Sequence, residues 1–167
     1  MMLKEDVTDH LIRRLESGKD DSDLMKSTVW ALCNVIRTNK VILPCQYIAI
    51  NTLAKIVLNS EDLEVLSDCL FALSDLTTPE IMGNLAEFGI LPRLYRIVKR
   101  GYKTVIPPII TMLNYLSSSE NPLMTTAIIE NGFVEFFFEL LEDESYQNKV
   151  KVDTLWILSN ITVGTPE

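Results

Sequence analysis

The chain is poor in the residues that most often carry chemistry. Histidine occurs once, as His10, and the three cysteines, Cys33, Cys45 and Cys69, show no C-x-x-C spacing. A zinc site would have to draw these four together from separate helices, so no metal is expected. Each cysteine stands in an apolar context and reads as a buried thiol of a reducing compartment. The sequence also lacks a glycine-rich phosphate loop, a G-x-S-x-G and an H-E-x-x-H. Phosphoryl transfer, serine hydrolysis and zinc proteolysis are thereby left without their machinery, and neither enzyme activity nor a cofactor is expected. Long apolar runs are missing as well. Stretches such as 41–44 and 133–138 fall far below the roughly 18 residues a membrane helix needs, and the opening MMLKEDVTDH has no signal-peptide core. A soluble intracellular protein with no membrane partner is the expectation. Cations are scarce too, with 15 Lys plus Arg against 23 Asp plus Glu and a net charge of −8. Direct nucleic-acid binding needs a basic surface and is not expected, whereas a basic peptide or protein suits an acidic chain.

What is present is helix. With 167 residues and 47% hydrophobic content the chain can bury a substantial core. Apolar residues at helical spacing, punctuated by Gly, Pro and acidic caps, predict helices over 6–16, 24–37, 48–58, 63–76, a start at Thr78-Pro79-Glu80, then 91–98, 104–116, 123–130, 133–141 and 148–163. On the first two the expected apolar faces are Val7, Leu11, Ile12 and Leu15, then Leu24, Thr28, Ala31, Leu32 and Val35. Ile81, Leu85 and Phe88 share a face in the helix that Gly89 stops. Caps are expected from 19–23 and 60–62, and Pro107 and Pro108 are tolerable only in a first turn. No strand is needed.

The helices recur. VKVDTLWILSNITVG (150–164) sets Trp156 and Asn160 four residues apart, one above the other on a helix. Weaker echoes are STVWALCNVI (Trp30, Asn34), DCLFALSDLT (Phe71, Asp75) and PIITMLNYLS (Ile110, Asn114), with anchors separated by 41, 39 and 46 residues. Gly89 and Gly132, which both stop a helix, lie 43 residues apart. A helical period of roughly 40 residues marks an all-α fold of the α-solenoid kind. The chain is read as a single repeat domain over 1–167, with approximate repeats 1–40 (partial), 41–78, 79–120 and 121–167.

WALCN (30–34), FALSD (71–75), WILSNIT (156–162) and EFGILPRL (87–94) resemble the armadillo family, and within it the importin α (karyopherin α) adaptors of nuclear protein import. The resemblance covers nearly the whole chain. WALCNVIRTNK is similar to the end of that family's fourth repeat, PPIITMLNYLSSSE to its sixth and KVDTLWILSNITVG to its seventh. The resemblance implies an armadillo superhelix located in cytoplasm and nucleus, binding the basic nuclear-localisation segments of cargo. It implies that Asn34, Asn114 and Asn160 clamp a peptide backbone and that Trp30 and Trp156 receive basic side chains. Arg37 and Asp68 match residues near the family's main groove, Ser117 and Glu120 residues near its minor one. Phe71 and Asp75 depart from the family's tryptophan and polar partner, and Ile110 stands where arginine is usual.

The clamp has a physical logic. A carboxamide can both donate to and accept from a peptide backbone, while an indole covers the apolar stem of a lysine or arginine. The basic importin β-binding segment of the family is absent, so importin β is not expected as a partner. Uncapped repeat ends, with Val150, Leu155, Ile157, Leu158, Ile161 and Val163 on the last helix, lead to an expectation of self-association. The alternative is an armadillo scaffold that assembles through its edges and recognises no cargo.

Overall fold

A computed structural model of the chain describes residues 2–18, 22–37 and 44–164, with side chains over 7–18, 22–37 and 46–163. Lys19, Asp20 and Asp21 of the expected cap at 19–23, and the side chain of Cys45, lie outside these. Among the described residues there are ten α-helices and no strand, and no helix is long and apolar enough to cross a membrane. The helices gather into two units, Met1–Leu76 and Thr77–Glu167.

The first unit holds α1 (Met2–Ser17), α2 (Ser22–Arg37), α3 (Pro44–Asn59) and α4 (Leu63–Leu76). Helix α2 packs on α4 and α1, and α3 on α4 and α1. Pro44 opens α3, since a first turn has no use for the missing N–H. The side chain of Asp62 caps α4 as expected, accepting from Glu64 N at 3.0 Å and Val65 N at 3.2 Å, an arrangement that stabilises by about 1 kcal/mol. The expected faces of α1 and α2 need correction. Val7 and Leu24 are exposed, and α2 buries Thr28, Val29, Leu32, Cys33 and Ile36. Because α2 has neighbours on more than one side, its buried stripe is wider than one wheel face and turned by a residue.

The second unit holds α5 (Pro79–Glu87), α6 (Ile90–Val98), a 3-10 turn (Lys103–Val105), α7 (Ile106–Ser117), α8 (Pro122–Glu130), α9 (Phe133–Glu142) and α10 (Asn148–Gly164). Helix α7 is central to it, packing on α5, α8 and α10. Pro107 and Pro108 fall in its first turn. Thr78 and Asn121 cap α5 and α8 by accepting from Ile81 N at 3.2 Å and Leu123 N at 3.0 Å, each followed by proline at the first helical position. Phe88 is exposed, not on the buried face with Ile81 and Leu85.

Gly89 and Gly132 make the same left-handed turn into the next helix, at φ 85° and 83°. Alanine at either is expected to cost about 1–2 kcal/mol for backbone conformation alone. The two should nevertheless differ. A Cβ at Gly89 meets nothing within 4 Å, whereas one at Gly132 meets Tyr95 Cζ at 3.2 Å and its hydroxyl at 3.3 Å. Thermal unfolding of Gly89→Ala and Gly132→Ala should therefore show the larger loss for Gly132→Ala. Equal losses would mean that the Tyr95 ring yields freely.

Candidate functional site

On α2 and α4 the exposed residues form two stripes. Asp23, Ser27, Trp30 and Asn34 follow one another at intervals of 4, 3 and 4, and Glu64, Asp68, Phe71 and Asp75 do the same. That rhythm keeps one helix face pointing one way, and none of the eight is buried. The Trp30 indole is 60% exposed, with half-buried Asn34 a turn beyond it. Beside it lies a cleft of about 360 Å³ whose lining includes Lys26, Trp30, Glu64 and Asp68. Lys26 reaches Asp62 Oδ2 at 2.9 Å and Glu64 Oε2 at 3.2 Å. These bonds, that to Asp62 foremost, raise the ammonium's pKa, so this cation is occupied at the rim. Burial, and then the charge of Glu64, push the Asp68 carboxyl above its ordinary value, with Arg37 acting weakly the other way. Arg37 is engaged elsewhere, its Nε donating to Asp75 Oδ2 at 2.5 Å. The cleft is short of a cation.

In the second unit α10 carries a stripe of the same rhythm, Lys149, Asp153, Trp156 and Asn160. Trp156 is as exposed as Trp30, and Asn160 is half-buried. Asn114, also half-buried, lines a cleft of about 320 Å³ with Thr111, Tyr115, Ser118, Lys149 and Asp153. Asn160 Nδ2 donates to Ser117 Oγ at 3.1 Å, so Asn114, Ser117, Trp156 and Asn160 are brought into one neighbourhood. Glu120 is exposed beyond the end of α7 and does not line the cleft. Ile110, read as an anchor, is 0% exposed. Helix α7 is packed on several sides, and its open stripe runs instead through Thr111, Asn114 and Ser118.

Glu64, Lys149 and Asp153 were not singled out by sequence reasoning. Extending each Trp/Phe anchor toward the N-terminus by 3 and then 4 residues would have found them. Cys33 and Cys69 are buried free thiols. Cys33 beside it, then burial, drive the Cys69 thiol well above its ordinary range. His10 is exposed, and among the described residues no cluster could hold a metal.

No family model matches the chain, and no curated protein matches it by sequence. Solved structures do. A computationally designed armadillo repeat protein for modular peptide recognition superimposes with a TM-score of 0.73 at 20% identity, covering 90% of this chain and 63% of its own. A designed armadillo repeat protein in complex with the peptide (KR)4 gives 0.69 at 19%, covering 90% and 62%. An engineered protein gives 0.72 at 22%, covering 95% and 38%. The fold is the armadillo-repeat α-solenoid. The chain spans less than two thirds of the length of these neighbours. The three stripes described above lie on α2, α4 and α10.

Proposed function

We propose that this chain is a peptide-binding armadillo module recognising lysine- and arginine-rich segments of nuclear-localisation type, and that it serves protein import between cytoplasm and nucleus. The observation that carries the reading is the recurrence of an exposed indole one turn before a half-buried asparagine, at Trp30 with Asn34 and at Trp156 with Asn160. Two large indoles in water cost free energy unless something covers them. Glu64, Asp68 and Asp153 in the adjoining clefts supply the charge that selects a basic cover. The (KR)4 peptide bound to one structural neighbour is of that chemistry. Asn34, Asn114 and Asn160 hold the backbone, Trp30 and Trp156 the side-chain stems, and no catalytic group or cofactor takes part.

Titration with (KR)4 peptide tests this. Tryptophan emission should shift to shorter wavelength as the indoles are covered, and binding should weaken with salt. Bringing a cation to Asp68 favours its ionised form, so affinity should rise with pH through the raised Asp68 titration. Asp68→Asn should flatten that rise. Emission unmoved by saturating peptide would sink the reading. A scaffold that assembles through its surface is favoured by one observation, the exposure of Leu123, Phe138 and Leu155. Such a scaffold would ignore the peptide and sediment as an oligomer.

A further inference from the structure

Ser117, matched by resemblance to a groove residue, is only 4% exposed and is too buried to lie against a peptide. Its hydrogen bonds define another part for it. The Ser117 hydroxyl donates to the Asn114 carbonyl oxygen at 2.9 Å, and Asn160 Nδ2 donates to Ser117 Oγ at 3.1 Å. A serine hydroxyl has one proton. With that proton given to Asn114, Oγ can only accept, so the end of the Asn160 carboxamide that faces it is the NH2. Which way a side-chain amide points is ordinarily ambiguous; this sequence of donors decides it. Asn160 Oδ1 has no hydrogen-bond partner among the described residues, and it sits one turn from the exposed Trp156.

We propose that Ser117 is a positioning residue, holding the Asn160 carboxamide with its NH2 inward and Oδ1 outward so that the groove presents an acceptor to a peptide N–H. This rests on the peptide-binding reading above. The first unit contains the same arrangement with different chemistry. Arg37 stands three residues after Asn34, as Ser117 stands three after Asn114. Its partner Asp75 stands four after Phe71, as Asn160 stands four after Trp156. In both units a residue three beyond an asparagine on one long helix engages the residue four past the anchor of another. The neutral serine steers Asn160 and leaves an acceptor open. The arginine instead ties up a carboxylate oxygen of Asp75.

Two measurements test the assignment. In isotope-labelled protein without peptide, one Asn160 amide proton should exchange with solvent more slowly than its twin, and Ser117→Ala should abolish that difference. In a double-mutant cycle with (KR)4 peptide, Ser117→Ala should lower affinity about three- to tenfold, and should change nothing further once Asn160 is alanine. A packing role alone would move stability, leave the amide protons as they were, and add to the effect of Asn160→Ala. Unaltered amide protons or additive affinities would overturn the proposal. Failure of the unsubstituted chain to bind (KR)4 would instead overturn the peptide-binding reading, and the amide protons would then decide by themselves whether Ser117 orients Asn160.

Discussion

Changing Trp156 and Asn160 together to alanine is expected to lower affinity for a lysine- and arginine-rich peptide about ten- to a hundredfold, with the protein still folded. Loss of the indole removes stacking and cation–π attraction of about 0.5–2 kcal/mol. Loss of the carboxamide removes a backbone clamp of about 0.5–1.5 kcal/mol. Neither change opens the core. Trp156 is largely in water, and Ser117, left without the Asn160 donor, keeps its own bond to the Asn114 carbonyl. Calorimetric titration beside a circular dichroism melt checks both halves of the expectation. A folded double variant that binds as before would show the assignment of the groove to be wrong.

The largest effect on stability is expected from Phe133→Ala. Phe133 is 0% exposed. Its ring meets Tyr95 edge-on at 5.4 Å and Phe137 in a stack at 6.1 Å. Truncation forfeits the transfer of a whole ring from water and leaves a cavity, together worth about 3–5 kcal/mol. Domain stabilities run at roughly 5–15 kcal/mol, so such a variant should be close to unfolding at body temperature. Phe138→Ala provides the control. Five positions along the same helix, Phe138 is 56% exposed, and its removal should shift a urea midpoint hardly at all. Comparable losses for the two would mean that burial is not what makes these rings matter.

The breaks between helices were readable because few residues can make them. Gly89 and Gly132 adopt positive φ, and Pro79, Pro107, Pro108 and Pro122 all lie in first turns, where chemistry allows little else. Buried faces were less readable. Val7, Leu24 and Phe88 are apolar, fit a helical stripe and nevertheless lie exposed, while Ile110 sits in the core. A wheel records which side of a helix is apolar, but not how many neighbours will press on it. The tryptophan–asparagine pairs stood out because a carboxamide inside an apolar helix is costly unless it meets water or a partner. What each pair touches did not. Arg37 and Asp75 are 38 positions apart, and Ser117 and Asn160 are 43 apart, so their contacts depend on how one helix lies against another.

Cys33 and Cys69 give the first unit a chemical clock. Both sulfurs lie within the contact of α2 with α4, and the Cys69 thiol is kept protonated. Only a thiolate that reaches solvent reacts, so in a Cys45→Ser background an alkylating reagent must wait until the two helices part. The rate of labelling would then count openings rather than measure the reactivity of sulfur. Helices α2 and α4 also carry Trp30 and Asp68, so a ligand resting on both would slow the clock without covering either buried thiol.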